Sequence, residues 1–77
     1  MENNGYFKGE YYIELVCDED TETFTINVTK ATPKGIKTAW FKDPQWFLKF
    51  IDDFDEYVDA HVDDLINQLN EGKVTLQ

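Results

Sequence analysis

The chain has 77 residues, of which 42% are hydrophobic and 16% aromatic, a composition that predicts one folded domain over residues 1–77 rather than a disordered tail. Sixteen acidic residues against seven lysines and no arginine give a formal net charge of −9, which argues against direct binding to nucleic acid or to an anionic membrane surface. One cysteine excludes an internal disulfide, no apolar run is long enough to span a membrane, and the lack of a signal-peptide pattern predicts a cytoplasmic protein.

An antiparallel hairpin is predicted in the first half of the chain. Residues 10–17 alternate between two faces, and this strand is expected to start at Glu10 or as early as Tyr6. Residues 23–29 alternate apolar side chains with Thr and Asn, which is typical of a half-buried strand. The acidic segment 18–22 forms the turn between them.

A third strand is predicted over residues 36–41, after a turn at residues 32–35 in which Pro and Gly occupy positions that turns favour. The meander therefore spans about residues 6–41.

A helix is predicted over about residues 44–71. Asp43 is a suitable N-cap, Pro44 suits the first helical position, and Gly72 suits the left-handed residue that ends a helix. The apolar stripe with helical periodicity is Phe47, Ile51, Phe54, Val58, Val62, Leu65 and Leu69. The predicted core combines both elements and consists of Ile13, Leu15, Phe24, Ile26, Val28, Phe47, Ile51, Phe54, Val58 and Leu65. The tail, residues 73–77, could add a short strand through Val74 and Leu76.

The predicted fold class is therefore α+β: a three-stranded antiparallel β-meander followed by one long amphipathic α-helix packed across the sheet. A helix of about 28 residues is roughly 42 Å long, whereas a strand of about eight residues is roughly 26 Å long. Unless it breaks, the helix overhangs the sheet, and Leu65, Ile66 and Leu69 need cover there. We expect a homodimer with these three residues in its interface, or else a tail that folds back over them.

The acidic residues are concentrated in the helical half of the chain. Residues 1–42 carry seven acids and five lysines, a net charge of −2, and residues 43–77 carry nine acids and two lysines, a net charge of −7. On a continuous helix one narrow strip contains Asp52, Glu56, Asp59 and Asp63, with Asp53 and Asp64 on its shoulder. Successive carboxylates of the strip rise by about 5–6 Å, comparable with the spacing of phosphates along a nucleic-acid strand.

This strip does not stabilise a helix, because like charges four residues apart repel and acids in the C-terminal half oppose the helix dipole. Two interpretations follow: a solvated face that keeps the protein soluble, or a surface that binds a basic partner. Trp46 lies off the apolar stripe, so it is either an exposed interface anchor or an edge of the core.

Catalytic chemistry is not expected. The chain contains no serine, too few His and Cys residues for a zinc site, and no glycine-rich phosphate loop. His61 flanks the apolar stripe and Cys17 continues the inner face of a strand, so both are expected to be packing residues rather than a catalytic pair. We therefore predict a protein that is not an enzyme, with no catalytic residues, no metal site and no cofactor.

In size, charge and layout the chain resembles small acidic proteins of phages and mobile elements, several of which block host nucleic-acid enzymes as DNA mimics. The resemblance rests on no diagnostic motif and assigns no functional residues. It implies a non-enzymatic inhibitor. From the charge pattern we expect this inhibitor to offer the acidic helix, with Trp46 beside it, to a basic surface on a nucleic-acid-binding protein. The alternative is a structural or adaptor protein that binds through an aromatic patch, with the acids serving solubility alone.

Overall fold

The computed structural model describes residues 2–72 and 75–76 of the chain, and the side chains of residues 4–72. The fold is α+β, as predicted, with an antiparallel sheet and an α-helix packed on one of its faces. In chain order the elements are β1 (Glu2–Lys8), β2 (Tyr11–Asp18), β3 (Thr23–Thr32), β4 (Gly35–Pro44), a 3₁₀ segment (Gln45–Phe50), α1 (Phe54–Glu71) and β5 (Thr75–Leu76). No helix in this described part of the chain combines the length and the apolar content that crossing a membrane requires.

The sheet contains four strands of seven to ten residues and a two-residue fifth strand, so the prediction of three strands is wrong. The strands lie side by side in chain order, and every neighbouring pair is antiparallel. The sequence pattern missed β1 because residues 2–5 contain no apolar side chain; this strand forms by pairing with β2 along its whole length. Gly9, with a φ of +62°, lies in the turn between them, so Tyr6 belongs to β1 and does not begin β2.

The predicted hairpin of β2 and β3 is confirmed, and the registers place its apolar side chains on one face. Ile13 lies opposite Val28 and Leu15 opposite Ile26, while Ile26 also lies opposite Phe41 of β4. We call this the inner face, because α1 packs on it. The third predicted strand, residues 36–41, extends further in both directions to form β4.

The predicted helix over residues 44–71 is divided in two. Asp43 and Pro44 do not start a helix but complete β4, and the 3₁₀ segment follows them. The α-helix begins at Phe54, where the carboxylate of Asp53 accepts a hydrogen bond from the backbone N–H of Glu56 at 3.1 Å. This is the N-cap interaction that the sequence pattern assigned to Asp43.

The length of the sheet explains the division. The 18 residues of α1 extend over about 27 Å, which matches the roughly 26–33 Å of strands with eight to ten residues. A helix begun at Pro44 would project beyond the sheet, whereas Asp52 and Asp53, both better suited to a cap than to a helix interior, allow the break. The predicted C-terminus is confirmed, since Gly72 has a φ of +74° and its N–H reaches the carbonyls of Gln68 and Leu69.

The core lies between the inner face and α1, and its buried side chains are Ile13, Phe24, Ile26, Val28, Ala39, Val58, Val62, Leu65 and Leu69. Two predicted members are not buried: Phe47 is 38% exposed and Phe54 is 40% exposed. Because the 3₁₀ segment does not continue α1, the apolar stripe ends near the start of α1 and does not reach Phe47. Leu15 and Ile51 are only half-buried.

The C-terminal half of α1 lies on the sheet and not beyond it. Leu65 and Leu69 are 1% and 2% exposed in the single chain, and Ile66 is half-buried against the same core. These residues are therefore covered within one molecule, which removes the reason for placing a dimer interface there. In the tail, Thr75 and Leu76 form β5 on the edge of β4, whereas Val74 lies outside the described residues.

Candidate partner-binding surface

Six carboxylates and no lysine occur in α1: Asp55, Glu56, Asp59, Asp63, Asp64 and Glu71. All six side chains are exposed, because the helix buries the opposite face against the sheet. Glu56, Asp59 and Asp63 keep the predicted strip, with rises of about 4.5 and 6 Å between successive residues. We call these three residues the acidic strip. Asp52 is exposed but does not belong to it, since it lies in the bend before α1.

The two predicted shoulder residues have local partners. Asp53 caps the helix, so its carboxylate is already bound to the backbone of Glu56. Asp64 accepts a hydrogen bond from Nε2 of Gln68 at 3.1 Å, one turn further along. Both side chains remain exposed and add to the negative charge of the helix.

Lys8 makes the one ion pair to α1 that the structure shows for residues 54–70. Its Nζ lies 3.1 Å from Oδ1 of Asp63, and this hydrogen bond raises the pKa of Lys8. An exposed pair of this kind contributes only about 0–1 kcal/mol, so α1 stays strongly negative. Sequence reasoning could not find Lys8, because its position depends on the pairing of β1 with β2.

A groove of about 340 Å³ separates β1 from the N-terminal half of α1. Its lining residues are Tyr6, Leu15, Phe54, Asp55, Val58 and Asp59. Burial raises the pKa of Tyr6, and the nearby carboxylate of Asp59 raises it further; Lys8 opposes this rise in part, and Asp55 adds a smaller upward effect. An apolar floor with carboxylates at its mouth suits a long aliphatic side chain that ends in a cation.

Three aromatic side chains lie close together in the 3₁₀ segment, which precedes α1 in the chain. Trp46 makes edge contacts with Phe47 and Phe50, at ring-centroid distances of 6.0 and 6.1 Å. The 3₁₀ segment contains no buried residue, and Phe50 is 72% exposed. The structure thus places the predicted Trp46 in an exposed group of three rings, which we call the aromatic cluster, close in the chain to Asp52.

The other flank of α1 is a packing region. His61 stacks on Phe41 at 3.8 Å with an interplanar angle of 13°, and Tyr57 donates a hydrogen bond to Oδ2 of Asp43 at 2.7 Å. Cys17 is a half-buried free thiol. Among the described residues, no group of three or more His, Cys, Asp or Glu side chains is arranged to hold a metal ion.

Comparison of the chain with protein-family models, with curated proteins and with solved structures found no match.

Proposed function

We propose that this protein is a non-enzymatic binding protein that presents α1 to a basic surface of a nucleic-acid-binding protein and thereby inhibits it, as phage and mobile-element inhibitors do. The observation that carries the proposal is the acidic strip on a helix without a single lysine. In this proposal its carboxylates take the place of nucleic-acid phosphates. Candidate targets are a CRISPR nuclease, a restriction enzyme, a uracil-DNA glycosylase or a DNA-binding regulator.

The energetics of α1 support a role beyond solubility. Asp55, Asp59 and Asp63 follow one another at intervals of four residues, a spacing at which like charges cost a few tenths of a kcal/mol per pair. Solubility requires only net charge, which exposed turns can carry at lower cost. A row of carboxylates on a rigid element holds its spacing, which a partner with regularly spaced cations requires.

The groove beside Tyr6 supports the same proposal. A lysine or arginine side chain of the partner could lie with its methylene groups on Leu15 and Val58 and its charge near Asp55 and Asp59. A basic groove that binds phosphates offers such side chains. The surface would then combine charge attraction with burial of apolar area.

The test compares two variants with equal net charge. Glu56→Gln, Asp59→Asn and Asp63→Asn together remove the acidic strip, and Glu10→Gln, Glu19→Gln and Asp20→Asn remove three exposed acids elsewhere. Each triple variant changes the net charge from −9 to −6, since −9 + 3 = −6. Asp53 is left unchanged because it caps α1.

The three proteins are immobilised, incubated with a bacterial lysate freed of nucleic acid, and washed over a salt series. The wild type and the control are expected to retain a nucleic-acid-binding protein that a DNA duplex displaces, and the strip variant is expected to lose it. Retention of the same proteins by the strip variant, or retention that DNA does not compete with, would contradict the proposal.

The aromatic cluster supports a second candidate function, that of an adaptor that docks through exposed rings. Trp46 and Phe50 are 61% and 72% exposed, and such rings are typical interface anchors. Trp46→Ala with Phe50→Ala would then abolish capture, and salt would have little effect on binding. The strip variant would in that case bind like the wild type.

A further inference from the structure

The face of the sheet opposite α1 is open and carries large aromatic side chains. Phe7 is 75% exposed and Trp40 is 61% exposed, and Tyr12 is exposed beside Phe7 at a ring-centroid distance of 5.0 Å. The strand registers place all three on the same side, with Phe7 opposite Tyr12 and Trp40 opposite Asn27. We call this side the outer face.

The outer face differs from α1 in charge. Among the side chains described on this side of β1–β4, the charged ones are Glu14, Asp18 and Lys42, two acids and a base. A second copy of the chain could not approach through α1, where six carboxylates would meet six carboxylates. It can approach through the outer face, which is close to neutral and rich in aromatic area.

On the outer face, aromatic side chains lie on both sides of β3. The outward side chains of β3 are small and polar, with Thr25, Asn27 and Thr29 in the middle of the face. Phe7 and Tyr12 lie on one side of this strand, and Trp40 lies on the other. Because Tyr12 lies opposite Thr29 and Trp40 lies opposite Asn27, a two-fold axis along β3 would bring Tyr12 of one copy over Thr38 of the other, one row away from its tryptophan.

Glu14 and Lys42 fit the same axis. Glu14 and Trp40 both lie opposite Asn27, so they share one row across the sheet. The ammonium group of Lys42 lies 5.8 Å from the centre of the Trp40 ring, so its charge lies beside that side chain. Rotation about β3 places Glu14 of one copy over Trp40 of the other, beside this ammonium group, and the reverse, which allows two symmetric ion pairs.

We propose that a second copy of this chain packs on the outer face, sheet against sheet, with the two-fold axis along β3. Sheets packed face to face lie about 10 Å apart, which puts the two α1 helices on opposite outer sides at roughly 30 Å. This separation is roughly four Debye lengths at physiological salt, so repulsion between the helices is screened. The inference does not depend on the acidic strip or on its partner.

The position of the Tyr12 ring on the outer face depends on a glycine in the neighbouring strand. Tyr12 lies across Gly5 of β1, and a Cβ at Gly5 would overlap the Tyr12 hydroxyl and come within 2.6 Å of its Cζ. Glycine therefore leaves room for the tyrosine ring to lie over β1, next to Phe7. Aromatic cover of a strand glycine is a known device of sheets.

The test is sedimentation equilibrium of the full chain in physiological salt, with circular dichroism to verify folding. The wild type is expected to have about twice the 9.1 kDa mass of one chain. Glu14→Lys and Lys42→Glu, made singly, should each weaken the dimer by about tenfold or more, and the double variant should return to near the wild-type dissociation constant. In a Trp46→Phe background the remaining indole, Trp40, should shift its emission on dilution.

Glu56→Lys is the matched control, because it makes the same charge change as Glu14→Lys but on α1. Both changes lower the net negative charge, which by itself favours association; weakening by Glu14→Lys alone would therefore report a specific contact. A wild type that stays monomeric at millimolar concentration overturns the inference. So does a dimer that neither single substitution weakens, or one that the double variant does not restore.

Discussion

Tyr57 joins α1 to the end of β4 through one short hydrogen bond. Its hydroxyl donates to Oδ2 of Asp43 at 2.7 Å, so the residue predicted to start the helix instead anchors it from the side. Burial, the hydrogen bond to Asp43 and the charge of that carboxylate raise the pKa of Tyr57 far above its ordinary value. The folded state therefore holds the phenolic proton more tightly than the unfolded chain does.

This gives a prediction for alkaline stability. A raised pKa in the folded state means that the stabilisation is fully present below about pH 10, the ordinary tyrosine pKa, and declines as the pH rises above it. Tyr57→Phe should cost about 1–2 kcal/mol at neutral pH, because it removes a hydrogen bond to a carboxylate. It should also reduce the loss of stability above about pH 10, as measured by urea unfolding over a pH series.

Tyr12→Phe is the control, since it removes a hydroxyl on the outer face and leaves the bond to Asp43 in place. Equal alkaline slopes for the wild type and Tyr57→Phe would show that another group governs this pH range. Lys8 and Lys30, whose pKa values are raised by hydrogen bonds to Asp63 and Glu10, titrate in the same direction.

At the scale of elements, the break before α1 decides how the helix fits the sheet. The 3₁₀ segment carries the chain away from the end of β4, and Asp53 then starts a helix as long as the strands. Had the helix begun at Pro44, Phe47 and Phe50 would be part of its buried stripe or its flank. The break instead leaves these rings exposed beside Trp46.

The cap can be tested with a pair of neighbouring substitutions. Asp53→Ala should lower the free energy of unfolding by about 1 kcal/mol, because it removes the acceptor for the backbone N–H of Glu56. Asp52→Ala removes the same charge without touching the cap, so it should be close to neutral. Thermal and urea unfolding would check both, and equal losses would refute the assignment of Asp53 as the cap.

The boundary of the core gives a second prediction at this scale. Leu65→Ala should cost about 2–5 kcal/mol, as for a fully buried leucine, which is enough to unfold much of a domain this small. Phe54→Ala should cost less, because the ring is 40% exposed. The milder Leu65→Val keeps the comparison measurable if the alanine variant does not fold. A larger loss at Phe54 would mean that α1 is rotated relative to the sheet.

At the scale of the whole molecule, the main feature is an excess of negative charge that is concentrated on α1. The chain has a net charge of −9, and within the structure α1 concentrates six of its carboxylates on one side. Two ion pairs are shown for the described residues: Lys8 with Asp63, which is exposed, and Lys30 with Glu10, in which the lysine is half-buried. Repulsion therefore outweighs attraction across the surface.

Salt should accordingly stabilise this protein. Raising NaCl from low to physiological concentration is expected to increase the free energy of unfolding by about 0.5–1 kcal/mol, because screening weakens repulsion along α1 more than it weakens the exposed pairs. The strip variant, at a net charge of −6 (from −9 + 3 = −6), should be at least as stable as the wild type at low salt and respond less to salt. Urea unfolding at several NaCl concentrations measures this. A fall in wild-type stability with salt would show that the ion pairs dominate.

Sequence patterns correctly predicted the elements that depend on neighbouring residues alone. The alternation around Phe24 and Ile26 specified the hairpin, and Gly72 specified the end of α1. Asp43 and Asp53 are both suitable caps, and only the length of the sheet, a property of the assembled fold, selects the second. β1 was missed for the same reason, because its polar residues form a strand only against β2.

In the candidate surface, too, some features could be predicted from the sequence and others depended on the assembled fold. Exposure of Glu56, Asp59 and Asp63 could be predicted, since a run of acids opposite an apolar stripe has nowhere else to lie. The positions of Lys8 and Tyr6 near these acids could not, because they depend on a strand paired across the sheet. The dimer prediction was argued from a helix that overhangs the sheet, and once the helix is shorter that argument no longer applies to Leu65 and Leu69.

Gly5 and Tyr12 have a consequence for how this sequence can vary. A side chain at position 5 displaces the far end of a tyrosine that can rotate away, so the fold would tolerate the change at little cost. The surface would not, because the ring beside Phe7 would leave its place. In a mutational library selected for the outer face, larger residues at position 5 should therefore be depleted together with variants that lose the ring at position 12. A stability screen of the same library would score position 5 as close to neutral.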